Sequence, residues 1–179
     1  MNFKYLNRKG FTLIELLVVI AVLGVLATVV IVAINPLQQL ARARDTGRLS
    51  TVTQLGQSLN TYATANNSQF PVANATWITS LVSAGEIQAV PSAPAYGGGI
   101  VGCATNVQPA SGFCYKTNVA LTGPAIAYAR LEALTNNNKC VAPNVAYAVY
   151  STIDGKAGIV CSNGEPAAPA AAGTLVFVP

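Results

Sequence analysis

The chain has 179 residues and a formal net charge of +4, with AVILMFWYC residues at 52% and charged residues at only 9%. So apolar a composition excludes an intrinsically disordered chain, and the length allows one globular domain of ordinary size with an appendage. Lys4, Arg8 and Lys9 supply three of the ten cations; from Phe11 onward seven Lys and Arg stand against six Asp and Glu, too even a balance for a general nucleic-acid footprint. Histidine is absent and carboxylates are few, so acid–base catalysis and a His-ligated metal lack raw material. No enzyme, cofactor or metal site is expected.

The first element is an apolar run, FTLIELLVVIAVLGVLATVVIVAI, over residues 11–34, in which only Thr12, Glu15, Gly24 and Thr28 are not apolar. At about 1.5 Å per residue it is long enough as a helix to cross a hydrocarbon core of about 30 Å. It exceeds the 7–15 apolar residues of an ordinary secretory signal, so a membrane anchor fits better. Glu15 is what a plain anchor leaves unexplained. A carboxylate inside such a run costs about 2.5–3.5 kcal/mol, so it needs a partner.

Directly before the run stands Arg8-Lys9-Gly10, and the segment Lys9-Gly10-Phe11-Thr12-Leu13-Ile14-Glu15-Leu16 closely resembles the processing and assembly signal of type IV prepilins and related pseudopilins. The resemblance covers about the first 40 residues. It implies a leader, residues 1–10, removed on the cytoplasmic side by a prepilin peptidase that also methylates the new N-terminus at Phe11. Gly10 and Phe11 are then the processing site. It further implies that Glu15 pairs with the N-terminal amine of a neighbouring subunit, an attraction strengthened in a low-dielectric helix bundle. The proline that commonly kinks the helix in this family falls at Val32 here, so that feature is absent; Gly24 does match a common family glycine.

Asn35-Pro36-Leu37-Gln38 carries helix-start signals, Asn as N-cap, Pro at the first position and Gln three residues after the cap, so the helix kinks or restarts there. From 36 to about 65 the pattern stays helical, with Leu49, Val52, Leu55, Gly56, Leu59, Tyr62 and Ala63 on one face that needs a sheet to cover it. Arg42, Arg44, Asp45 and Arg48 lie just beyond the membrane, either within reach of lipid phosphates or neighbouring subunits or as a simple solvated helix face. Residues 11–35 are therefore assigned to a membrane and filament-core helix, 36–67 to the amphipathic second half of a long helix, and 68–179 to a globular head.

Within the head a short helix is expected over 76–84, with Trp77 as a packing anchor. The Tyr96-Gly97-Gly98-Gly99 turn lacks the Lys-Ser/Thr ending of a phosphate-cradling loop. Strand-like runs follow at 113–121, 126–134, 145–152, 156–160 and 175–178, with Asp154-Gly155 as the clearest hairpin signal. The Ala/Pro-rich stretch 165–173 reads as a semi-rigid linker. The predicted fold is α+β and pilin-like: a long N-terminal helix packed on a C-terminal antiparallel sheet.

Cys103, Cys114, Cys140 and Cys161 allow three disulfide pairings, and no C-x-x-C pair points to zinc. Closure of hairpin-sized loops favours Cys103 with Cys114 and Cys140 with Cys161, formed outside the cytoplasm.

The resemblance implies a structural subunit held in the cytoplasmic membrane with its N-terminus inside, then polymerised into an extracellular or periplasmic filament. Its partners would be the membrane, prepilin peptidase, a cytoplasmic assembly ATPase, an inner-membrane platform protein and further copies of itself. Two alternatives stay open within the family. A type II secretion pseudopilin commonly carries a calcium site near the C-terminus, for which only Asp154 and Glu165 offer carboxylates. A minor DNA-uptake pilin needs a basic patch, for which the head offers Lys116, Arg130, Lys139 and Lys156; nucleic acid is not expected as a partner.

Overall fold

A computed structural model of the chain describes residues 10–92, 95–97, 99–108, 111–118 and 121–179. The chain divides into two units, one ending at Gln39 and one running from Leu40 to Pro179.

The first unit is dominated by helix α1, Leu13–Ile34, none of whose residues is buried. Its many Val and Ile residues are poor helix formers in water, but a bilayer leaves the backbone only intrahelical hydrogen bonds. Thr28 satisfies its hydroxyl on the same helix by donating to the Val25 carbonyl at 2.8 Å. The helix ends at Asn35, whose φ of 47° and ψ of 74° lie in the left-handed region that Asn tolerates. Asn35 then opens α2, Pro36–Ala65, by accepting the Gln38 N–H on its carbonyl at 3.1 Å. The helix restarts there.

The second unit holds most of α2, a short helix α3 (Trp77–Ser83), strands β1 (Cys114–Thr117) and β2 (Ala125–Arg130), one turn of helix α4 (Leu134–Asn137), and strands β3 (Val145–Ser151), β4 (Lys156–Ser162) and β5 (Phe177–Val178). The five strands form an antiparallel meander in chain order. Period-two alternation sorts its residues onto two faces. One face presents Tyr115, Ala125, Ala127, Ala129, Ala146, Ala148 and Tyr150 to Val52, Leu55 and Leu59 of α2 and to Trp77, Ile78 and Leu81 of α3. Across this face Tyr115, Ala127 and Tyr150 are register partners, so a small residue sits between two large ones. Trp77 stacks on Tyr115 with centroids 5.0 Å apart, and the Tyr115 hydroxyl donates to the Pro71 carbonyl. The other face carries Ile126, Tyr128, Tyr147, Val149 and Val160 under Val107, Ala168, Leu175 and Phe177.

Several boundaries differ from expectation, each for a physical reason. β1 stops at Thr117; the expected run to 121 crosses residues 119 and 120, which lie outside the described residues, and Leu121 has a φ of 67°. β2 ends at Arg130 instead of 134 because the N–H groups of Glu132 and Ala133 turn to the carboxylate of Asp45, after which α4 begins. The Ala/Pro-rich stretch is no linker: Pro166 and Pro169 are buried, and the segment straps the second face of the sheet. Two disulfides join Cys103 to Cys114 and Cys140 to Cys161, with Cα atoms 6.1 Å and 5.4 Å apart.

Candidate processing and assembly site

The expected leader lies outside the described residues up to Lys9. Gly10 is exposed, with no neighbouring atom within 4 Å of where a Cβ would stand, and Phe11 is 81% exposed. Among the described residues, none packs over the junction between them.

Thr12 is the N-cap of α1 and forms a capping box with Glu15. The Thr12 N–H and hydroxyl donate to Glu15 Oε2 at 2.9 Å and 2.7 Å, and the Glu15 N–H donates to the Thr12 hydroxyl at 3.3 Å. Glu15 Oε1 has no hydrogen bond among the described residues. The exposed carboxylate is thus half satisfied among the described residues, and its other oxygen is left to a second partner. Sequence reading passed over Thr12 as a mere polar exception, although Thr-x-x-Glu ahead of an apolar run is a legible capping signal.

The charged residues beyond the membrane helix are not solvated as expected; Arg42 alone among the four is exposed. Asp45 accepts the N–H groups of Glu132 and Ala133 and the side-chain amide of Asn136, at 2.7–3.2 Å. Arg48, fully buried, donates through Nη1 to Asp45 at 2.9 Å and to Glu132 at 3.0 Å, and its guanidinium lies 3.9 Å from the ring centroid of Tyr96. Arg44 bonds Glu132 at 2.5 Å, and the Gly97 N–H donates to its second oxygen at 2.7 Å. Burial alone raises the Glu132 pKa; the bonds from Arg44, Gly97 and Arg48 outweigh it and hold the carboxyl at about 2. Sequence reading missed Glu132, whose arginine partners lie 84–88 positions away.

The two carboxylates considered for calcium are engaged by donors of their own chain. Glu165 accepts the Ala104 N–H, the Thr105 N–H and hydroxyl, and the Tyr128 hydroxyl, and pairs with Lys116 at 3.2 Å. Burial again raises its pKa, and these donors, Ala104 first, bring it down to about 2. Asp154 accepts the Ser151 hydroxyl at 2.5 Å and the Gly173 N–H at 2.6 Å. Among the described residues no three His, Cys, Asp or Glu groups stand close enough to share a metal ion. The four head cations are not gathered either. Lys116 and Lys156 occupy the non-adjacent strands β1 and β4, Arg130 ends β2 and Lys139 follows α4.

With this geometry in place, the N-terminus can be set against known proteins. Residues 5–31 match the family described as the prokaryotic N-terminal methylation motif, the processing signal of type IV pilin and pseudopilin precursors. The match takes in Gly10, Phe11, Thr12 and Glu15 together with most of α1. No curated protein and no solved structure matches the chain. The motif supports a precursor of the type IV pilin-like or pseudopilin kind and implies processing by a prepilin peptidase, and α1 is long and apolar enough to span a membrane.

Proposed function

We propose that this chain is the precursor of a structural subunit of a type IV pilus-like filament. Prepilin peptidase cuts between Gly10 and Phe11 and methylates Phe11; the mature chain waits in the cytoplasmic membrane with its N-terminus inside and polymerises through its N-terminal helix. The role is structural, not catalytic.

The observation that carries this reading is Glu15, a carboxylate with an open oxygen on a helix that has no buried residue. Cleavage places a positive amine on Phe11, one helical turn away. An anchor has no use for either charge, whereas a bundle of such helices pairs one copy's amine with another's carboxylate and so sets their axial stagger. Leaving lipid costs on the order of 10 kcal/mol, summing about 0.5 kcal/mol per apolar residue. Helix packing and ion pairing offset part of that, and the remainder calls for a cytoplasmic assembly ATPase working through an inner-membrane platform protein. The filament would stand outside the cytoplasm, where the two disulfides form.

The test is the intact mass of the protein taken from its native membrane. Loss of residues 1–10 with gain of one methyl group is expected; a full-length mass overturns the reading.

A further inference from the structure

The triplet Asn-x-Ser/Thr, the acceptor pattern for N-linked sugar, occurs at Asn66-Asn67-Ser68 and again at Asn74-Ala75-Thr76. So short a pattern arises by chance in a chain rich in Asn, Ser and Thr, and the fold is what separates the two occurrences. Asn66 directly follows α2 and is half-buried. Its amide nitrogen donates to the Tyr62 carbonyl at 2.8 Å, and the chain then turns through Asn67 and Ser68 with φ of 53° and 63°. The nitrogen that would carry a sugar there is spent on closing the helix end.

Asn74 differs at each point. It is exposed, together with Ala75 and Thr76, in the turn that leads into α3. Its side-chain oxygen accepts both the N–H and the hydroxyl of Thr76, at 2.8 Å and 2.9 Å, while its nitrogen has no hydrogen bond among the described residues. A side-chain amide is a poor nucleophile because its nitrogen lone pair is shared with the oxygen. Two donors on that oxygen stabilise the charge that gathers there when the nitrogen gives up a proton, and so favour the form able to make a new bond. The third residue of the triplet supplies both donors.

The surface beside this turn suits a sugar. Helix α3 buries Trp77, Ile78 and Leu81 and leaves Thr79 and Ser83 exposed. With Thr76, Ser80, Tyr62 and Asn66 these two line a shallow, open groove of about 350 Å³ that has no charged residue in its wall. Hydroxyls both donate and accept, and a tyrosine ring offers an apolar face with a polar tip, which matches an uncharged polyhydroxyl group. A bulky, solubilising chain on Asn74 would displace none of the core.

We propose that Asn74 is an N-glycosylation site of the head, taking its sugar from a polyprenyl-diphosphate-linked oligosaccharide. In the transfer the Asn74 nitrogen bonds to C1 of the first sugar. The bond from C1 to the diphosphate oxygen breaks and its electron pair leaves with the diphosphate, while the amide proton passes to a base of the transferase. The head meets such a donor on the outer face of the membrane, a placement that rests on the filament reading above.

The test is peptide mass mapping of the full chain taken from its native membrane, with fragmentation to locate any sugar. The parent should carry a hexose- or hexosamine-containing adduct on Asn74 and none on Asn66. Asn74→Gln and Thr76→Ala should each abolish it, whereas Thr76→Ser and Asn66→Gln should keep it. A bare Asn74 in the parent, an adduct on Asn66 instead, or an adduct that survives Thr76→Ala overturns the proposal. The N-terminal peptide of the same digest reports leader removal separately. A retained leader with sugar on Asn74 sinks the filament reading alone, and a processed N-terminus with a bare Asn74 sinks this inference alone.

Discussion

A Cβ added to Gly56 on α2 would lie 2.0 Å from Cγ of Tyr150 on β3, so the tyrosine ring occupies the space a side chain would need. The blocked atoms include Tyr150 Cβ at 2.6 Å, close to the backbone and unable to swing away. The Tyr150 hydroxyl meanwhile accepts a hydrogen bond from the side-chain amide of Asn60, one turn further along α2.

Gly56→Ala should therefore lower head stability by about 1–3 kcal/mol, as overpacking does, despite alanine's better helix propensity. Gly47, on the same helix, has nothing within 4 Å of its would-be Cβ. Gly47→Ala should instead stabilise by about 0.5–1 kcal/mol. Urea unfolding of the detergent-solubilised chain distinguishes the two; equal shifts would contradict the packing described.

Glu132→Ala should cost about 3–5 kcal/mol, because it strands the buried Arg48 without one of its carboxylates. Glu132→Leu combined with Arg48→Met should recover most of that loss. The pair of melting curves decides, and a double variant no better than the single one would contradict the account.

Acid should unfold the head within a defined window. Glu132 and Glu165 are both lowered from 4.5 to about 2 in the folded chain. A depressed carboxyl contributes stability that is fully present above its unfolded value and lost as pH falls through the folded one. The loss should run from about pH 4.5 down to about pH 2 and amount to roughly 3 kcal/mol for each group. Unfolding midpoints at stepped pH measure it, and Glu165→Gln should flatten the slope.

Glu165→Ala should also free the strap without unfolding the sheet. The donors on Ala104, Thr105 and Tyr128 and the Lys116 ammonium all converge on that one carboxylate. Limited proteolysis should cut within 163–173 faster in the variant, while hydrogen exchange in β2 and β3 stays slow.

At the N-terminus, Gly10→Leu should retain the leader, seen as unreduced mass. Glu15→Val should still be cleaved yet build no filaments under the electron microscope. Filaments at parental yield from Glu15→Val would remove the pairing role.

What the sequence disclosed and what it hid divide by distance along the chain. The membrane helix, the stripe from Leu49 to Ala63 and the Asp154-Gly155 hairpin are written in neighbouring residues, and the structure has them. Gly155 takes the left-handed φ of 64° that the turn requires. The burial of Asp45 and Arg48 and the pairing of Arg44 were illegible, because a run of charges after an apolar span looks solvated until a partner 84–88 residues later is known. The strap was hidden likewise: Ala/Pro composition has no periodicity, and its anchor on Glu165 binds residues 60 and 61 positions earlier. Thr12 with Glu15 differs, since its three-residue spacing was in plain view.

The sheet face toward α2 is floored by Ala125, Ala127, Ala129, Ala146 and Ala148, each with no exposed surface. Scored one by one these are the least hydrophobic members of the core, and a substitution survey guided by side-chain size would rank them as dispensable. Their smallness is the thickness of the gap in which the helix lies. Enlarging any of them wedges helix and sheet apart along their whole contact, whereas trimming a leucine of α2 leaves a local hole. In this head the shortest side chains set the tightest tolerance.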